Sequence, residues 1–290
     1  MVTMNKLPNE RRVQIIGMMV EGMSIRAIAR LTGASKNTIV KLLADAGRAC
    51  SEYQDQALRD LPCKRLQLDE IWSFVYAKQK NAPADKKAAG EAGDLWTWTW
   101  TWTCLCADTK LMVSWLVGSR DTDTAKAFVC DVAHRLRNRV QVTSDGHRPY
   151  LEAVETAFGA DVDYAQLVKI YGQTAESQRR YSPPQIIGTE TFCCTGNPDP
   201  KHVFTSYVER SNLTMRMHMR RFTRLTNAFS KKVENHAHAV ALNFMYYNFV
   251  RIHSSLRVTP AMAAGVTDRL WEIKDIVRVV DEWEIAQRAA

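Results

Sequence analysis

Apolar residues recur at helical spacing from the start of the chain. In residues 9–21, "NERRVQIIGMMVE", Val13, Ile16, Met19 and Val20 fall on one face, which predicts an amphipathic helix broken by Gly22. Ser24 is placed to cap a second helix, "IRAIARLT", with Ile25, Ile28, Ala29 and Leu31 inward. Gly33 turns the chain, and Ser35 caps a third helix, "KNTIVKLLADAG", ended by Gly47. This is the helix-turn-helix pattern: small Ala29 allows close approach, and Ile39, Leu42 and Leu43 bury the third helix. Lys36, Asn37 and Thr38 are left exposed at its start, where they can meet base edges or phosphates in a major groove. An ordinary three-helix packing module fits the same apolar pattern.

Residues 48–62 read as a helical linker ending at Pro62, and an apolar strand follows over about 65–76. Residues 77–94 are Ala/Lys/Gly-rich without periodicity and read as a loop. In 95–121, Trp96, Trp98, Trp100 and Trp102 alternate with Thr97, Thr99, Thr101 and Thr103, as a strand requires, and "ADTK" is the turn of a hairpin. A covered sheet face explains the tryptophans more simply than a base-stacking platform. A helix to Arg137, a strand ending at Asp145-Gly146 and a helix opening at Pro149 come next. Residues 159–204 read as irregular, with a small strand near "YAQLVKIYG" and a long loop. Helices are expected from Ser206 or Tyr207 and over about 229–251, the latter with Val233, Ala237, Val240, Phe244 and Tyr247 as its inner stripe. The order predicts an α/β domain over 64–255, behind an all-α helix-turn-helix domain at 1–47 and a linker at 48–63, with a helical tail at 256–290.

Composition narrows the class. No run of 18 uncharged apolar residues exists and the N-terminus lacks a signal-peptide apolar stretch, so a cytoplasmic chain with no membrane partner is expected. None of the seven cysteines forms a CxxC pair, which disfavours a zinc ribbon and leaves reduced structural thiols. The net charge of +8 favours a polyanionic partner, and its distribution says more: Arg210, Arg216, Arg220, Arg221, Arg224, Lys231 and Lys232 follow one another with no acid between.

Acids stand where a core strand should be apolar. Asp69 and Glu70 sit inside "KRLQLDEIWSFVYAK", and burying a carboxylate costs several kcal/mol without a compensating partner. Alternation puts Asp69 on the face of Gln67 and Ser73, and Glu70 on that of Leu68 and Trp72, paired there to a cation. Asp145 ends a later strand, where parallel neighbours would bring it beside Asp69. Divalent cations resolve the repulsion of two such carboxylates, and hard Mg²⁺ takes oxygen ligands while keeping waters for phosphates. Glu209, opening a basic helix, is the best third carboxylate, although Ser206-x-x-Glu209 also reads as a capping box and Asp-Gly as a turn.

"LQLDEIWSF", "TSDGHRPYL", "SYVERSNLTMRMHMRRFTRLTNAFSKKVENH" and "YYNFVRIHSSLRVTPAMAAG" resemble bacterial DDE transposases, most closely the insertion-sequence-one family, over about 5–268. The resemblance implies a ribonuclease-H-like domain with a mixed sheet flanked by helices. It also implies Asp69, Asp145 and Glu209 as the catalytic acids, holding two Mg²⁺ or Mn²⁺ ions. Arg251 and His253 fall in a tail resembling that of other integrase-like enzymes, near DNA or in support of the catalytic helix. The founding members begin with a zinc-finger-type module that this sequence lacks, so end recognition is expected from the helix-turn-helix. The implied reaction is cleavage at transposon ends and strand transfer into target DNA, with the basic side chains neutralising phosphates in a homodimer or larger synaptic assembly. A helix-turn-helix transcriptional regulator and a stand-alone metal nuclease are the rival readings.

Overall fold

The computed structural model describes residues 6–76, 99–172, 185–223 and 228–289. The Ala/Lys-rich stretch, Trp96, Trp98 and Arg224 lie outside them.

Three helices open the chain: α1 (Asn9–Val20), α2 (Ile25–Thr32) and α3 (Lys36–Ala57). The expected caps are formed, the Ser24 hydroxyl accepting from the Ala27 N–H at 3.1 Å and the Ser35 hydroxyl from that of Thr38 at 3.1 Å. Gly33 takes the left-handed turn at φ 69°. Two expectations are corrected. Leu31 is 61% exposed, because Ile28 and Thr32 fill the inner face of this short helix. The third helix does not end at Gly47 but runs on through the expected linker to Ala57. Gly47 faces His238, and a Cβ there would lie 2.3 Å from the His238 Cβ. The glycine allows two helices to touch rather than stopping one.

A six-stranded sheet follows, in the order β3-β2-β1-β4-β5-β6. Its strands are β1 (Arg65–Ser73), β2 (Thr99–Cys106), β3 (Met112–Gly118), β4 (Val140–Asp145), β5 (Val162–Tyr171) and β6 (Ile186–Thr195). β1, β4 and β5 are parallel neighbours, and β2, β3 and β6 pair antiparallel. β6 occupies part of the expected long loop. Nearly all its residues are exposed, so hydrogen bonds to β5 hold it without any burial pattern in its sequence.

Helices α4 (Thr122–His134) and α5 (Pro149–Phe158) cover one face of the sheet, where Trp102 packs against Phe128 and Tyr150. Helices α6 (Ser206–His218) and α7 (Val233–Met245) cover the other, where Asn212 and His236 meet β1. The expected stripe on α7 is partly corrected: Val240 and Phe244 are buried, with His236 and Leu242, while Val233, Ala237 and Tyr247 are only partly so. Trp102 lies on a covered face as expected, but Thr99, Thr101 and Thr103 on the opposite face are buried too. A mixed sheet with helices on both sides is compatible with a ribonuclease-H-like fold.

The chain closes with a π-helical turn at Tyr246–Val250, short α8 (Pro260–Ala263) and α9 (Ile273–Ala289). α9 packs against α1 and α3, and the buried Arg12 of α1 pairs with Asp281 and Glu284 of α9. One continuous apolar core runs from Ile15 through the sheet to Val280. The first and last helices of the described residues thus pack against each other.

Candidate metal centre

The site starts from two parallel strands. β1 and β4 pair as far as Gln67↔Thr143, and two residues further along stand Asp69 and Asp145. Here β4 ends, so their side chains look out from the carboxyl end of the parallel pair, where α/β sheets place their ligand crevices.

Gln67 sets the helix above them. Its side-chain oxygen accepts from the Tyr207 and Val208 N–H groups, each at 3.0 Å, satisfying donors in the first turn of α6. With α6 pinned to β1, Asn212 reaches down and its amide donates to Asp69 Oδ2 at 2.8 Å. Thr103 on β2 donates to the Asp69 backbone carbonyl at 2.9 Å.

Carboxylate oxygens of Asp69, Glu70 and Asp145 lie within 4.8 Å of one another. Burial, reinforced by the Glu70 and Asp145 charges, pushes the Asp69 carboxyl up to about 7 despite the Asn212 bond. Glu70 is raised by burial and by Asp145, against the pull of Arg120 and Tyr150. Its oxygens are committed: Arg120 holds Oε1 at 2.7 Å and the Tyr150 hydroxyl donates to Oε2 at 3.0 Å. The expected cation partner of Glu70 is therefore Arg120. Asp145 Oδ1 accepts from the His147 N–H at 2.9 Å, so the turn role of Asp145 is real alongside its place in the cluster.

Glu209 is not among the three clustered acids. Its carboxylate is held by the Lys169 ammonium and the Thr205 hydroxyl. The helix begins after Thr205 rather than at an N-cap Ser206, so the expected capping box is not formed. Two links still tie Glu209 to the site. Lys169 lies two residues beyond Leu167, the partner of Asp145, and so shares its face; Asn212 stands one turn on from Glu209 on α6. Gln67, Lys169, Arg120 and Tyr150 were not legible as site residues, because only the folded sheet brings them to the acids.

The donor set fits a hard divalent cation. Partly buried carboxylate oxygens a few ångströms apart, one made reluctant to ionise by its neighbours, are what an ion with oxygen ligands relieves. The pH dependence has a definite sign. Asp69 binds its proton more tightly folded than unfolded, so between ~4, the unfolded value, and about 7 the folded state holds more protons. Stability in EDTA is therefore expected to fall as pH rises through that window and to level off above it. Calorimetric melting from pH 4 to 8 checks this: the wild type should slope downward relative to Asp69→Asn, and parallel curves would count against the burial of this acid.

The basic candidates differ in exposure. Lys36 and Asn37 are exposed at the start of α3, and Thr38 is partly buried there. Arg210, Arg220, Lys231 and Lys232 are exposed, and Arg216 is partly buried. Arg221 turns inward to donate to the Ser230 hydroxyl. Arg251 and His253 are partly buried after the π turn, with His253 Nδ1 3.0 Å from the Ser255 hydroxyl.

The chain is thus a mixed α/β protein with a carboxylate cluster at the carboxyl ends of its parallel strands. Residues 199–250 match the family model of the IS1 transposase, so the resemblance read from the sequence is shown over this segment. The matched segment carries α6, α7 and the π turn, and with them Glu209 and Asn212. Comparison with curated proteins finds no match. No helix among the described residues is long and apolar enough to cross a membrane.

Proposed function

We propose that the chain is a DNA transposase of a bacterial insertion sequence, cutting at transposon ends and joining them to target DNA. One observation carries the reading. The segment related to IS1 transposases places Asn212 on Asp69, an acid clustered with Asp145 at the strand ends. The family likeness and the carboxylate geometry meet at one hydrogen bond.

In this reading Asp69, Asp145 and Glu209 hold two Mg²⁺ ions, with Mn²⁺ as a substitute. A divalent ion bound there supplies Lewis-acid stabilisation of the entering and leaving oxygens of an in-line displacement. The chain's own residues do the rest. Asn212 fixes the rotamer of Asp69. Arg120 and Tyr150 occupy both oxygens of Glu70, which leaves the two aspartates as the open ligands of the cluster. Glu209, now held by Lys169 and Thr205, would be the third residue to hold the ions, and Lys169 would then be free to meet phosphate.

Lys36, Asn37 and Thr38 read the transposon end from a helix-turn-helix unit whose third helix runs on to Ala57, ahead of a ribonuclease-H-like domain at 64–255. Arg210, Arg216, Arg220, Arg221, Arg224, Lys231 and Lys232 neutralise backbone phosphates, with Arg251 and His253 in support. Two ends must be joined at once, so the working form is a homodimer or larger synaptic assembly. The test is a strand-transfer reaction on DNA carrying the element's ends, with Mg²⁺ or Mn²⁺. Joined products that require those ends support the reading. Cutting without joining would make the chain a nuclease, and binding without cutting a regulator.

A further inference from the structure

A cleft of about 720 Å³ separates the first three helices from the segment that follows α6. Its walls come from the α1–α2 corner and the start of α3 on one side, and from His218–Arg221, Ala228–Lys231 and α7 on the other. Among the described residues, Arg26, Lys36, Arg220, Arg221 and Lys231 line it as permanent cations, and no Asp or Glu does. The surface between them is mostly apolar, formed by side chains such as Met23, Val40 and Leu242.

Arg221 is the unusual member. Arg221 is partly buried and donates to the neutral Ser230 hydroxyl, and among the described residues no carboxylate pairs with it. Burial alone lowers its pKa to about 10. His236, behind it, is held neutral by burial and by the Arg221 charge, its pKa lowered to about 3. Among the described residues no acid that lines the cleft answers this positive charge. A desolvated cation without a counter-charge is costly, and low-dielectric walls concentrate its field toward whatever enters the cleft.

We propose that this cleft grips a single phosphodiester strand, with Arg221 as the inner contact and Arg26, Lys36, Arg220 and Lys231 along its rim. The reading of the anion as DNA rests on the transposase proposal. The cleft adds to it that the helix-turn-helix side and the α6–α7 side hold the same strand. Lys231 stands 4.5 Å from the Phe229 ring centroid, which keeps its ammonium at the rim rather than free in solvent.

The experiment needs no metal. The full chain is titrated by fluorescence anisotropy against labelled single-stranded and duplex oligonucleotides in EDTA, over a salt series. Arg26→Ala from one wall, Lys231→Ala from the other and Arg221→Met from the interior are compared with wild type. Each loss of a phosphate contact should lower the slope of log affinity against log salt by about 0.7–0.9, and weaken binding roughly tenfold at low salt. Arg221→Lys should recover part of the loss, which a merely misfolded Arg221→Met could not explain.

An unchanged slope in Arg221→Met and in either rim variant overturns the proposal while leaving DNA binding, and the transposase reading, intact. Inorganic tripolyphosphate displacing the oligonucleotide at equal phosphate concentration would overturn it in favour of a small polyphosphate site. Wild type with no salt-dependent affinity for either DNA would remove both readings together.

Discussion

Asp69→Asn and Asp145→Asn are each expected to lower strand cutting and joining by about 10³-fold or more, and Glu209→Gln to do the same. Glu70→Gln is expected to cost less than about tenfold, on the order of 1 kcal/mol. The contrast matters because Glu70, not Glu209, is the third acid of the cluster. Proximity would nominate Glu70, but its chemistry argues otherwise. Both its oxygens already carry strong donors, its side chain is 1% exposed, and it belongs to the face that packs on α4 and α5. A carboxylate so engaged has little left to offer a metal ion.

Glu209 is 40% exposed and is held by two partners that can let go, a lysine and a hydroxyl. It stands on the helix whose Asn212 already touches Asp69. Single-turnover cutting in Mg²⁺, paired with calorimetric Mn²⁺ binding, separates the two acids. An active Glu209→Gln beside an inactive Glu70→Gln would transfer the third ligand to Glu70 and undo this assignment.

The parts of this site that the sequence carried are those with local signatures. The Ser24 and Ser35 caps, the strand ending at Asp145 and the face chosen by Asp69 all follow from periods of 3.6 or 2 read over a few residues. Gln67 and Ser73, placed on the Asp69 face by alternation, do bond α6 and α7 there. What stayed hidden depends on partners far along the chain. Gln67 looks like an ordinary polar strand residue until α6 arrives to be capped. Arg12 falls on the apolar face of α1 with nothing nearby in sequence to pair it, and only the C-terminal helix supplies its two acids. β6 has no apolar stripe to read because neither of its faces is covered. The inward turn of Arg221 is invisible in a run of basic residues that all look alike.

Gly47→Ala should destabilise the protein by about 2 kcal/mol, although the same exchange inside a free helix gains about 1 kcal/mol. The added methyl would lie 2.3 Å from the Cβ and 2.5 Å from the Cα of His238, atoms that no rotamer change can move. α3 and α7 must separate, and overpacking of this kind costs roughly 1–3 kcal/mol or more even before neighbouring contacts loosen. Gly17 of α1 is the control, since a Cβ there meets nothing within 4 Å. Gly17→Ala should therefore raise stability by up to about 1 kcal/mol. Urea denaturation of both variants decides the matter, and two shifts of the same sign would refute the contact. The consequence extends beyond stability. α3 begins with Lys36 at the rim of the basic cleft, and α7 forms part of its opposite wall. The glycine that lets these helices touch also fixes the width of the space between them. Gly47→Ala should consequently weaken DNA binding at a residue that touches no DNA, and the loss should appear in affinity without a change in salt slope, because no cation has been removed.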